Sequence, residues 1–264
     1  MLKAIIFDLD DTLLWDRKSI AEAFRTTCEK AAEKVTVDPE KLEERVRAHA
    51  EALYPTFQTY EFVSNIGIGT FEGMWGEFLD DGEDFKRLRE TVPLYRKQAW
   101  FKGLQDVGIE DEKLAEELAK VFPEERKKHV FLYDETIDVL ESLKEKYKLI
   151  MLTNGSPHLQ NTKLSLSPEL RPYFDHIVIS GAFGKGKPAV EIFQHALDLA
   201  NVDKAEAIMI GDNPNTDILG ACRIGMDSIW INHDDTELED VTPTYEVSRL
   251  REILPLIEER SQQL

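Results

Sequence analysis

The sequence predicts an α/β protein, a doubly wound parallel sheet with an all-helical cap domain inserted after its first strand. Three observations lead there. The apolar run Ala4-Ile5-Ile6-Phe7 reads as a short strand buried on both faces. Helical periodicity then fills residues 16–128 without a second strand pattern. From Asp134 onward helix and strand patterns alternate, which is the rhythm of a parallel sheet. The expected division is therefore 1–15 and 129–264 for the sheet domain and 16–128 for the helical insert.

The elements follow in order. Ile20, Phe24, Cys28, Ala31 and Val35 recur at three- and four-residue steps and mark one helix face. Asp38-Pro39 punctuates, with Pro39 suited to a first helical turn, and Leu42, Val46, Ala50 and Leu53 form the next stripe before Pro55 stops it. The stretch from Phe57 to Phe101 is rich in aromatics and should form the small core of the helical domain. Leu114, Leu118 and Val121 give a further helix ending near Pro123, and Arg126-Lys127-Lys128 reads as solvated surface. Strands are expected at Leu149–Leu152, Ile177–Ile179, Ala207–Ile210, Ser228–Ile231 and Tyr245–Val247. Helices are expected at Ile137–Leu143, from Pro188 to Ala200, from Asp217 to Arg223 and from Leu250 to Glu259; the acidic loop from His233 to Asp240 reads as solvated.

Composition narrows the function. Hydrophobic residues make up 42% of 264, ample for a core, while 51 acidic against 32 basic residues give a net charge of -19. That field disfavours nucleic acid and anionic membrane as partners. Cys28 and Cys222 cannot build a disulfide framework and suit a reducing cytosol. With no apolar segment of membrane-spanning length and no signal-peptide pattern, a cytoplasmic protein is expected.

In open parallel sheets ligands bind beyond the carboxyl ends of the strands. Four groups of polar residues fall there: Asp8-Leu9-Asp10-Asp11-Thr12, Thr153-Asn154-Gly155, Lys187-Pro188, and Gly211-Asp212 through Asp217. Asp8 and Asp10 share strand parity, so they project to one side while Leu9 points back to the core. Like charges that close need a cation or a shared proton. Phosphoryl transfer would use each group. A carboxylate nucleophile forms an acyl phosphate, and a second carboxylate protonates the leaving oxygen and later deprotonates water. Asp8, Asp10 and Asp212 offer oxygen ligands to Mg2+, the Thr153 hydroxyl can donate to phosphate, and a lysine supplies positive charge.

These four groups, in this order and with a helical insert after the first strand, resemble the signature motifs of the haloacid dehalogenase-like hydrolases across the whole chain. The resemblance implies a Rossmann-like core with Asp8 as nucleophile and Asp10 as acid/base. It implies that Thr153 and Asn154 hold the phosphoryl group and that Lys187 balances its charge and orients Asp8. Magnesium would bind the Asp8 carboxylate, the Asp10 backbone carbonyl and Asp212, with Asp217 behind them near Lys187 or a metal water. Asp217 is also favoured by the dipole if it lies in the first turn of a helix.

Relatives often read Lys-Pro-Asp-Pro where this chain has Lys187-Pro188-Ala189-Val190, and Lys185 is a rival cation. Dehalogenases of this fold lack the second aspartate, so Asp10 points to a phosphatase acting on a small phosphorylated metabolite. Suitable classes are a phospho-amino acid such as phosphoserine, a sugar phosphate, a phosphoglycolate-like acid or a nucleotide. A sugar phosphomutase on the same site and a non-catalytic binding module on this fold are the alternatives. Arg17, Lys18, Arg45 and Arg47 are candidate cations of the insert, and His158 reads as a surface imidazole.

Overall fold

The first apolar run forms β1 (Ala4–Phe7), with all four residues buried. Five more strands follow: β2 (Lys148–Thr153), β3 (His176–Ile179), β4 (Ala207–Gly211), β5 (Asp227–Ile231) and β6 (Tyr245–Val247). They pair in the order β3-β2-β1-β4-β5-β6, and every pairing is parallel. In this computed structural model residues 1–238 and 240–262 are described. Glu239, in the acidic loop, and Gln263 and Leu264, at the end of the expected sheet domain, lie outside the described residues.

The register decides where the chemistry can sit. Phe7 lies level with Met151 on one side and Ile210 on the other. The next backbone N–H, that of Asp8, donates to the Ile210 carbonyl at 2.9 Å. Thus Asp8, Thr153 and Asp212 all emerge at one edge of the sheet, where strand order reverses around β1.

The chain divides into two compact units. The helical one comprises Asp16–Phe131 and Ser156–Leu159. Its principal helices are α1 (Asp16–Ala32), α2 (Pro39–Leu53), α3 (Glu83–Asp106) and α4 (Glu112–Lys128). Asp38 caps α2 by accepting from the Glu40 and Lys41 N–H groups, with Pro39 in the first turn. The aromatic stretch does form core: Trp75, Phe78, Tyr95 and Trp100 are buried, and the Phe24 and Phe122 rings meet at 4.3 Å.

Three expectations for this unit need correction. Pro123 does not end α4, which runs on to Lys128. An interior proline forfeits a backbone bond, but Phe122 beside it is fully buried against Phe24, and that packing holds the helix. Arg126 is not solvated: it is 1% exposed, ion-paired with buried Asp16, and stacked over the Trp75 ring at 4.7 Å. The unit also extends past residue 128, since the Phe131 N–H donates to Ser19 and the Lys18 ammonium lies over the Phe131 ring. It takes in Ser156–Leu159, where Asp80 accepts from the Ser156 hydroxyl and the His158 N–H.

Around the sheet lie α5 (Thr136–Lys144), α6 (Pro157–Leu166, part of this unit from Gln160 on), α7 (Val190–Ala200), α8 (Leu219–Ile224) and α9 (Ile253–Gln262). Ala4, Ile6, Ile150, Leu152 and Met209 pack with Ile192, Phe193 and Leu197 of α7 on one face. Ile5, Phe7, Leu149, Met151, Ile208 and Ile210 alternate with them and are equally buried, so both faces are covered. Each of the larger side chains, Ile, Leu, Met or Phe, contributes about 1.5–3 kcal/mol of burial. Helix α7 starts two residues later than expected, and α6 follows Thr153-Asn154-Gly155 where no helix was anticipated. The helix expected from Asp217 begins earlier: Asp217 lies in the first turn of a wide helical segment, Pro214–Ile218, that runs directly into α8.

Candidate active site

The Lys187 ammonium is the centre of the site. It is buried, 2.6 Å from Asp8 Oδ1 and 2.6 Å from Asp217 Oδ1. Burial pushes the Asp8 carboxyl up to about 6, against the pull of Lys187 and with a further push from Asp217. Burial alone would lower the Lys187 ammonium, but Asp217 and Asp8 outweigh it and hold the lysine above its usual range. One cation shared by two carboxylates thus stays charged, while each carboxylate receives only part of its attraction.

Gly211 makes room for this arrangement. A Cβ on it would fall 2.3 Å from Asp217 Oδ2, so a glycine at the end of β4 lets the carboxylate lie against the strand. The same Oδ2 accepts from the Asn213 N–H at 3.2 Å. Asp212 is steadied from three directions. Its N–H donates to Thr12 Oγ1 at 3.1 Å, its carboxylate accepts from that hydroxyl at 3.3 Å, and its carbonyl accepts from the Trp230 indole at 2.8 Å.

Oxygen atoms of Asp8, Asp212 and Asp217 lie within 4.8 Å of one another. Three hard carboxylate donors, with one ammonium between two of them, fit a small divalent cation such as Mg2+. The Asp10 carboxylate is not part of that trio. Its Oδ1 accepts from Lys163 at 2.8 Å and its Oδ2 from Gln160 at 2.9 Å. The two motif carboxylates therefore do not repel across a shared ion; each has its own lysine.

The Gln160 amide nitrogen also lies 2.6 Å from the Thr153 hydroxyl, which is itself buried. Asn154 turns its side chain to the backbone of Lys187. It accepts from the Lys187 N–H at 2.8 Å and donates to the Lys187 carbonyl at 3.0 Å. Gly186 is needed beside it, since a Cβ there would come within 2.9 Å of Asn154 Oδ1. Asn154 thereby ties the lysine segment to the end of β2.

A family model described as haloacid dehalogenase-like hydrolase matches residues 2–225. The chain belongs to the haloacid dehalogenase-like hydrolases. It is 32% identical over 253 residues to a phosphoserine phosphatase of Thermus thermophilus, covering 96% of this chain and 98% of that one. It is 33% identical over 181 residues to the mouse N-acylneuraminate-9-phosphatase, covering 67% and 73%. The relatives place it among the phosphoric monoester hydrolases of the family. In structure it resembles the putative HAD-hydrolase YfnB of Bacillus subtilis, crystallised bound to magnesium, with a TM-score of 0.68 at 22% identity over 97% of this chain and 98% of that one.

Among the residues that sequence singled out in this haloacid dehalogenase-like chain, the structure brings Asp8, Lys187, Asp212 and Asp217 together, with Asp10, Thr153 and Asn154 joined to them through hydrogen bonds. Lys185 stays outside, exposed and paired with Glu191 at 2.6 Å. In the helical unit Arg47 is held by Glu43 at 2.7 Å and lies over the Phe24 ring, while Arg45 pairs with Glu44 and Arg17 is exposed. His158 is half-buried rather than at the surface. Gln160, Lys163 and Trp230 are site residues that no local sequence pattern marks. Their signal was weak: two polar side chains share the buried face of α6 with Leu164, and a tryptophan in a strand reads as core.

Proposed function

We propose that this haloacid dehalogenase-like hydrolase is a magnesium-dependent phosphatase that hydrolyses a small-metabolite phosphomonoester through an aspartyl phosphate on Asp8. The observation that carries this reading is the buried Lys187 bridge between Asp8 and Asp217, with Asp212 alongside. Asp8, Asp212 and the Asp10 carbonyl would hold magnesium, which when bound supplies positive charge to the phosphoryl oxygens. Lys187 adds its own charge and fixes the Asp8 rotamer by a 2.6 Å hydrogen bond. A carboxyl displaced only to about 6 is largely ionised at pH 7 and can attack phosphorus.

As the ester P–O bond breaks, Asp10 gives its proton to the leaving oxygen. It then takes a proton from water, which attacks the acyl phosphate and returns Asp8 as a carboxylate. The Thr153 hydroxyl and backbone N–H groups beside it donate to the phosphoryl oxygens. In this reading the insert of residues 16–128 acts as the cap. A small substrate accords with the net charge of -19 and with relatives named for phosphoserine and N-acylneuraminate 9-phosphate. No helix among the described residues is long and apolar enough to cross a membrane. Two free cysteines suit a cytoplasmic setting.

The test is phosphate release from a panel containing phosphoserine, N-acylneuraminate 9-phosphate, sugar phosphates and nucleotides. Turnover of at least one compound should vanish in excess chelator and return with magnesium. Unchanged turnover in chelator would remove the metal, and faster phosphoryl exchange between sugar positions than phosphate release would make the protein a mutase.

A further inference from the structure

Helix α6 carries two polar residues, three positions apart, that the reaction as drawn above does not use. Gln160 is 0% exposed and Lys163 is 1% exposed. Residues three apart lie on one side of a helix, and here that side is the buried one, shared with Leu164. Burying an ammonium is costly without a partner; Lys163 meets Asp10 Oδ1 at 2.8 Å. Gln160 meets Asp10 Oδ2 at 2.9 Å, so each oxygen of that carboxylate has its own donor.

The Gln160 nitrogen does more than hold Asp10. It lies 2.6 Å from Thr153 Oγ1 and 3.0 Å from the Asn154 carbonyl. A single amide therefore ties Asp10 to the end of β2, where the phosphoryl group would be bound. An aspartate has two side-chain torsions, and the Asp10 side chain is 24% exposed, so backbone alone does not fix its carboxyl. Two donors on different oxygens fix both torsions.

We propose that Lys163 and Gln160 are positioning residues that aim the Asp10 carboxyl at the leaving oxygen of the substrate, in register with Thr153. The inference rests on Asp10 being the acid/base of a phosphatase. In the step concerned, the ester P–O bond breaks and the Asp10 proton passes to the departing oxygen; Lys163 and Gln160 exchange no proton. Misaiming Asp10 matters in proportion to how much the leaving group needs that proton. A general acid contributes about 10²–10⁴-fold, and a leaving group that departs readily as an anion forgoes most of it.

The experiment compares kcat/KM for benzyl phosphate, a poor leaving group, and 4-nitrophenyl phosphate, a good one, in the wild type, Lys163→Met and Asp10→Asn. Methionine keeps an unbranched apolar stem in the buried slot. Lys163→Met should lose about 30-fold or more on benzyl phosphate and less than about 3-fold on 4-nitrophenyl phosphate, a fraction of the full effect of the acid. Asp10→Asn should show the same bias, larger. A flat loss in Lys163→Met beside a biased loss in Asp10→Asn overturns the inference alone and leaves Lys163 a structural cation. A flat loss in Asp10→Asn overturns the acid role and the inference with it. Should Lys163→Met not fold, Gln160→Met decides by the same comparison, a biased loss supporting the inference and a flat one overturning it.

Discussion

Replacing Gly211 by alanine tests how tightly the site is built. The new Cβ would lie 2.3 Å from Asp217 Oδ2, 2.4 Å from its Cγ and 2.6 Å from its Cβ. Gly211 ends β4, which is paired on both sides, with β1 and β5, and whose residues are all buried, so the strand cannot yield. Asp217 must move instead by most of an ångström. Its Oδ2 would leave the Asn213 N–H, and its Oδ1 would leave the Lys187 ammonium now 2.6 Å away. Overpacking costs about 1–3 kcal/mol. Breaking a buried pair outright costs about 3–5 kcal/mol, of which only part applies because Lys187 keeps Asp8. We expect about 3 kcal/mol of lost stability. Urea unfolding should show this as a lower midpoint with an unchanged slope, and turnover should fall at least tenfold as Lys187 loses an anchor. A loss under about 0.5 kcal/mol with full turnover would refute the packing argument.

Two further outcomes follow from the buried charges. The folded state holds the Asp8 proton up to about pH 6, whereas an ordinary aspartate releases it at 3.8. The ionised form therefore costs the metal-free fold stability above pH 6, and below 3.8 that cost is absent. Two units at about 1.4 kcal/mol each make it at most about 3 kcal/mol. In chelator, Asp8→Asn should be more stable than wild type at pH 8, with the gain fading by pH 4; a gain independent of pH would remove the cause given. Lys187→Ala should cut kcat by about 10²-fold or more, and Lys185→Ala, paired only at the surface, by less than about 2-fold; the reverse order would move the catalytic cation.

The sheet and most of the site could be read from sequence because the same feature announces both. In a parallel sheet buried on two faces, strands are continuous apolar runs, and a polar residue directly after such a run has to lie at the open edge. Asp8 after Phe7, Thr153 after Leu152 and Asp212 after Ile210-Gly211 are all of this kind. Helix α6 was hidden for the complementary reason. Gln160 and Lys163 occupy buried positions that apolar residues would otherwise fill, so the residues that matter chemically erase the periodicity that would reveal the helix. Arg126 misled in the same way: a basic residue beside two lysines looks solvated until Asp16, 110 positions earlier, is seen to meet it. Pro123 shows the limit of local rules, since Phe122 packing against Phe24 overrides its tendency to end a helix.

The proposed reaction requires that Asp8 become covalently phosphorylated. Acid quenching of the magnesium-supplied enzyme during steady turnover of a phosphomonoester, followed by peptide mass spectrometry, tests it most directly. An acid-stable, base-labile phosphoryl group should appear on the peptide containing Asp8 and be absent in Asp8→Asn. Continued turnover with no covalent phosphate, or with the label on another residue, would contradict the proposed reaction.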